Sequence, residues 1–327
     1  MVTATSVELL QLDPSRYVPS PLHDSQRTFR ESNCYVDIWI ELLHALGINA
    51  ASAMAFTCAI DFEGDQWTFI KPPPDELYSL FGIDVHEMQL YRPILDHVVE
   101  QLSAGRTIIF EADSFYLPDT ASTSYRHSHV KSSIAIEAID IDSECLRYFH
   151  GAGYYELLGE DFRGVFRLGR DFSADVLPPY VELVRIDAGP RLENGELRSM
   201  ARELLRRHLA RRPKNNPWRK FGERLAADLP GLLAGTEDNY HAYAFATVRQ
   251  CGAAFELARS FVEWLVDPID SSGQVACRAL ESQVANAKAL LFRLARRRNF
   301  DPVSQISQLA EDWEIAQSEL ESICRSS

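Results

Sequence analysis

The chain has 327 residues, 46% of them hydrophobic and 24% charged, enough apolar material to bury a sizeable core and too much for a disordered chain or a disulfide-stapled miniprotein. Its formal net charge is -14, from 33 Lys plus Arg against 47 Asp plus Glu, a field that repels nucleic acid and anionic lipid unless basic residues are segregated. No run approaches the roughly 18 uncharged apolar residues of a membrane helix, and MVTATSVELLQLDPSRY lacks a basic stretch leading into an apolar one, so the expectation is a cytoplasmic protein with no membrane partner.

In chain order, the first strong element is a helix opening at Cys34 and stopping at Gly47, with Ser32 or Asn33 as its N-cap. A second helix is expected over 86–103, interrupted by Pro93. Strands follow at 107–110, 132–139, 146–150 and 180–186. After the turn-rich DAGPRLENGE, strand signals vanish. Apolar residues then recur at helical spacing, as in Leu280, Val284, Ala287, Leu291 and Leu294, or Ile306, Leu309, Trp313, Ala316, Leu320 and Ile323. Breaks are expected at Pro213 to Pro217, at Pro230-Gly231 and at Asp267-Pro268, giving about five helices. The pattern predicts an α+β domain over residues 1–190 and an all-α domain over 191–327.

Six cysteines, Cys34, Cys58, Cys145, Cys251, Cys277 and Cys324, form no CxxC pair, which argues against a structural zinc site or a disulfide framework. Cys34 alone stands in the first turn of a helix, where unpaired N–H groups and the positive end of the dipole stabilise a thiolate and offer an oxyanion donor. A nucleophilic cysteine needs a base. His127 and His129, at the entrance to the 132–139 strand, are the best placed. Alternation along 106–113 puts Glu111 and Asp113 on one side of their strand, suited to holding an imidazolium or a substrate amine. His150 ends the next strand.

A helix-opening Cys, a His at a strand start and a third polar residue one strand later follow the order of the papain-like superfamily. The stretches SNCYVDIWIE at 32–41, DFEGDQWTF at 61–69, YLPDT at 116–120, HVK at 129–131 and YFHGAGYY at 148–155 resemble a bacterial family of unknown function whose genes lie beside amino acid:carrier-protein ligases. HAYAFAT at 241–247 and FEL at 255–257 extend that resemblance into the helical half. More distantly, Cys34, Asp113 to Pro118 and His129 are similar to the N-terminal domain of the butirosin-pathway acyltransferase class. The resemblance implies a papain-like domain, a Cys-bearing helix packed on an antiparallel sheet. It further implies transfer of an aminoacyl group from a carrier-protein phosphopantetheine thioester to an amine. Cys34 is then the nucleophile, His129 the base, Asp113 or His150 the supporting group, and Glu111, Asn33, Tyr116, His127 and Trp39 the substrate-binding set. No bound cofactor is implied. The sequence departs from papain in having Gln26 eight residues before the cysteine, too far for the usual oxyanion partner.

Between Arg198 and Arg224 lie ten basic and two acidic residues, a local charge of +8 that leaves -22 on the other 300 residues. Within it Arg206, Arg207, Arg211, Arg212 and Lys214 suit an acidic carrier protein with a phosphate-linked arm, or present a solvated helix face. Nucleic acid is disfavoured, because no aromatic residue lies between Arg198 and Trp218. Three alternatives stay open: a papain-like hydrolase, a metal enzyme using His127 and His129 or the Cys34, Asp37, Glu41, His44 stripe, and a non-catalytic carrier-protein binder.

Overall fold

The computed structural model describes residues 6–169, 177–297 and 300–325. The chain folds into two compact units, one of residues 1–21, 34–49 and 77–191, the other of 22–33, 50–76 and 192–327.

The first unit holds β1 (Ser6–Glu8), α1 (Cys34–Ala45), β2 (Asp84–Glu87), α3 (Ile94–Ser103), β3 (Thr107–Asp113), β4 (Lys131–Asp140), β5 (Cys145–His150), β6 (Gly153–Leu158), α4 (Glu160–Val165) and β7 (Val181–Arg185); α2 (Pro74–Phe81) has residues in both units. The strands form one antiparallel sheet in the order β2-β7-β3-β4-β5-β6, with β1 paired to the far end of β4. The unit is thus α+β with a cysteine-bearing helix against an antiparallel sheet: α1 touches β4, β5 and β6. The other face carries the apolar core, where Val98, Leu102, Phe110, Ile134, Ile136, Tyr148, Phe162 and Val165 are all nearly inaccessible and bring α3 and α4 onto the sheet.

All four expected strands are present, and others pair with them. The helix expected over 86–103 begins only at Ile94. Pro93 supplies no N–H and disfavours helix in the residue before it, while residues 84–87 pair as a strand with Arg185 to Glu182 of β7.

The second unit contains α5 (Asn194–Arg211), α6 (Pro217–Ala234), α7 (Glu237–Ala244), a π-helical turn at Phe245–Arg249, α8 (Gln250–Leu265), α9 (Ser271–Ala295) and α10 (Val303–Arg325), six helices among the described residues where about five were expected. The break expected at Pro230 does not occur. Pro230 lies inside α6, which runs on to Ala234 although Pro230 has no N–H for the Ala226 carbonyl. Segments 22–33 and 50–76 join this unit through specific contacts. Trp67 packs edge-on to Trp218 at 4.8 Å and to Phe255 at 6.0 Å, while Phe62 meets Phe221 at 5.3 Å. The Glu256 carboxylate accepts the N–H groups of Thr28 and Phe29 at 2.9 and 2.7 Å. Among the described residues, no helix is long and apolar enough to cross a membrane.

Candidate functional site

Cys34 is the first residue of α1 and is half-buried. Its Sγ meets Ser133 Oγ at 3.6 Å, and no histidine is within hydrogen-bond reach of it among the described residues. Pleating decides this partner. Antiparallel register sets Ser133 opposite Glu111 and Lys131 opposite Asp113, so these four residues share the α1 side of the sheet. His129 lies beyond Lys131. Its Nδ1 pairs with Asp113 Oδ2 at 2.6 Å and its ring stacks on Phe115 at 4.5 Å, with the side chain 66% exposed. Two strand positions, about 6.7 Å, separate Ser133 from Lys131 before His129 is reached. The expected Cys34–His129 pair therefore shares a sheet face without a hydrogen bond.

Asp113 is thus within hydrogen-bond distance of His129, whereas Glu111 is occupied by Lys131 Nζ at 2.7 Å. Glu111, Asp113, His129, Lys131 and Arg167 line a groove of about 390 Å³ walled by Leu177 to Pro179. His127 is exposed. Trp39 is fully buried and Tyr116 is 3% exposed, so neither offers a surface to substrate; Asn33, also buried, donates its amide to Ile70 O at 3.0 Å. The stripe Cys34, Asp37, Glu41, His44 is not a cleft face. Asp37 and Glu41 are buried, and Glu41 accepts from Tyr17 OH at 2.5 Å and Ser20 N at 3.1 Å. Among the described residues no group of three or more His, Cys, Asp or Glu side chains is arranged to hold a metal.

The other sheet face holds a constellation that the residue-by-residue reading does not assemble. His150 lies on the face of Ile134 and Ile136, opposite to that of Cys34, so it cannot orient a base for that thiol. Ser132, one residue from Ser133 and pointing the other way, brings its Oγ to 2.7 Å from His150 Nε2. On the far side of the ring, His150 Nδ1 lies 2.5 Å from Asp119 Oδ2, and Tyr148 OH donates to Asp119 Oδ1 at 2.5 Å. A carboxylate only accepts, so Nδ1 carries the proton and Nε2 presents its lone pair to the Ser132 hydroxyl. Burial, reinforced by the Asp119 charge, pushes the Tyr148 phenol well above its ordinary value, which keeps it a donor. Asp119 is 6% and His150 11% exposed in their side chains, while Ser132 is only part-buried. The order is hydroxyl, imidazole, carboxylate, the same order of groups as in a serine relay. Asp119 and Tyr148 stand in the YLPDT and YFHGAGYY stretches; Ser132 gives no signal without the strand register.

The remaining five cysteines are poor nucleophiles. Burial pushes the thiols of Cys58, Cys251 and Cys324 up, and those of Cys145 and Cys277 up to about 11.

The basic segment is largely answered within the chain. Arg206 caps the end of α10 through Cys324 O at 2.9 Å and reaches Glu203, which also pairs with Arg207; Arg212 pairs with Glu321, and Arg211 donates to Arg207 O. Farther along, Arg219, Lys220 and Arg224 face Glu314, Asp61 and Asp228. Lys214 has no such partner among the described residues.

Residues 18–186 match the DUF1839 N-terminal domain and residues 194–322 the DUF1839 C-terminal domain, so the chain belongs to the DUF1839 family over most of its length. No curated protein matched the sequence.

Proposed function

We propose that this DUF1839 member is an acyl-transfer enzyme whose nucleophile is Ser132, with His150 as general base and Asp119 as the group that orients and charges the base. The observation that carries this reading is the unbroken chain from Ser132 Oγ through both ring nitrogens of His150 to a buried carboxylate. As Oγ attacks an acyl carbonyl carbon, His150 Nε2 takes the hydroxyl proton and Asp119 stabilises the imidazolium. The proton then passes to the departing group, and the ester formed on Ser132 is cleaved by water or an amine whose proton His150 accepts. A thioester donor suits the site, since its transfer to oxygen or nitrogen is not uphill and positioning matters more than strong activation.

The donor proposed is an acyl or aminoacyl group on the phosphopantetheine arm of an acidic carrier protein, loaded by an amino acid:carrier-protein ligase. The exposed groups of Arg207, Arg211 and Lys214 support an acidic partner. A second reading keeps Cys34 as the nucleophile of a papain-like transferase or hydrolase, favoured by its place at the start of α1.

Intact mass spectrometry after incubation with an aminoacyl-carrier thioester, and separately with a fluorophosphonate, tests both. An adduct kept in Cys34→Ala and lost in Ser132→Ala supports the serine relay. An adduct lost only in Cys34→Ala transfers the role to the thiol. Protein that takes no adduct from either reagent is not an acyl-transfer enzyme of this kind.

A further inference from the structure

In the helical unit, residues 28–31 and Arg249 border a groove of about 380 Å³ whose other wall is α9. That volume falls within the roughly 300–1,000 Å³ of small-molecule sites. Three cations line the groove, Arg30, Arg249 and Lys288, against one acid, Glu31. All three are exposed and none forms an ion pair among the described residues, whereas most cations between Arg198 and Arg224 do. In a chain of net charge -14, unanswered cations gathered at one groove mark it for an anion. Two of them are held in place. Arg30 Nε donates to His23 O at 2.9 Å and Arg249 Nη2 to Glu31 O at 3.1 Å, so each guanidinium commits one nitrogen to a backbone carbonyl and keeps the others unpaired. Arg249 also lies over the Phe245 ring at 5.8 Å, and it ends the π-helical turn, a rare element that recurs at functional sites. The segment that carries Arg30 is fixed in turn, because Glu256 accepts the N–H groups of Thr28 and Phe29. Guanidiniums positioned before binding lose little freedom on meeting a ligand. Beside them Phe292, one helical turn after Lys288, is 59% exposed and lines the groove with Leu291, an aromatic face left to water next to three cations.

We propose that this groove binds a phosphate monoester carried on an aromatic ring. The phosphate oxygens accept from Arg30 and Arg249 and meet the Lys288 ammonium, while the ring lies against Phe292 and Leu291. A phosphate monoester brings a charge of about -1.5 to -2 and three terminal oxygens, which answers three cations better than the single charge and two oxygens of a carboxylate. The proposal rests on neither Ser132 nor Cys34, which belong to the other unit.

Titration calorimetry on the full chain with phenyl phosphate, inorganic phosphate and benzoate tests the proposal. Phenyl phosphate should bind saturably and more tightly than either of the others. Arg249→Gln should weaken it about 10-fold or more, the equivalent of one lost charge-assisted hydrogen bond. Lys288→Glu, at an exposed position without a partner among the described residues, should weaken it as well and keeps the test free of any folding defect in Arg249→Gln. Phe292→Ala should bring the affinity for phenyl phosphate down toward that for inorganic phosphate and leave the latter unchanged. Arg278→Glu makes the same change of charge at an exposed position about 15 Å earlier on α9 and should leave binding unaltered. Absence of saturable binding, equal affinity for benzoate or inorganic phosphate, unchanged affinity in both cation variants, or a loss in Arg278→Glu as large as in Lys288→Glu overturns the proposal. The readout is binding rather than acyl transfer, so its failure is distinct from that of the serine relay.

Discussion

Replacing Asp119 by Asn separates a working relay from a merely structural network. Asp119 accepts two hydrogen bonds at 2.5 Å, from Tyr148 OH and from His150 Nδ1, in surroundings where its side chain is 6% exposed. Asn keeps one oxygen for Tyr148 but turns an N–H₂ toward the imidazole, so one charge-assisted bond of about 1.5–3 kcal/mol is lost and a donor faces a donor. The ring escapes by moving its proton to Nε2, which then no longer accepts from Ser132. Stability should fall by about 2–3 kcal/mol in urea denaturation followed by tryptophan fluorescence, with the fold retained. Labelling of Ser132 by a fluorophosphonate should slow far more, by about four orders of magnitude, as when a serine relay holds its histidine in the wrong tautomer. Ser132→Ala, which removes no buried charge, should abolish labelling at nearly full stability. Asp119→Asn protein that labels at the wild-type rate refutes the relay, whatever its stability.

Other outcomes follow from particular contacts. Gly252→Ala would bring a methyl group to 2.4 Å from the ring of Phe29, so thermal melting should show a loss of about 1–3 kcal/mol as segment 22–33 is forced from α8. Glu256→Ala leaves the Thr28 and Phe29 N–H groups without their acceptor and should cost about 2–4 kcal/mol, with limited proteolysis reporting earlier cleavage in 22–33. Glu137 is held by Tyr154 OH at 2.5 Å in a site whose burial raises its pKa above 4.5. Its contribution is thus full at pH below 4.5 and declines as pH rises through the raised value, because the carboxylate must then be charged in place. Urea denaturation across that range should show this decline, and Glu137→Gln should flatten it. Alkylation of native protein at neutral pH should modify Cys34 ahead of Cys145, whose thiol burial pushes up to about 11; the peptide map decides.

Much of the architecture is legible because it rests on local periodicity. The strand over 132–139 and the helices around Leu280 to Leu294 and Ile306 to Ile323 declare themselves by alternation and by steps of three and four. The helix start at Cys34 falls where the sequence places it. Residues 84–87 escape such reading because a short segment takes its state from the strand it pairs with, here β7, rather than from its own pattern. The allocation of 50–76 to the helical unit is equally hidden: Trp67 declares an apolar residue, but only the fold sets it against Trp218 and Phe255.

For the site, the sequence by itself determined the candidate chemistry: a thiol at a helix start, histidines at strand ends, carboxylates at alternate positions and a basic stretch that tempers a charge of -14. Only the tertiary structure decided which of these meet. Ser132 and Ser133 are chemically identical neighbours, yet the pleat sends one to His150 and Asp119 and the other to Cys34. A hydrogen bond needs its atoms within about 3 Å, and a strand's side-chain period is two residues, so one position along β4 changes both face and partner. Composition and spacing carry no record of that choice, which the register of β4 against β3 and β5 makes.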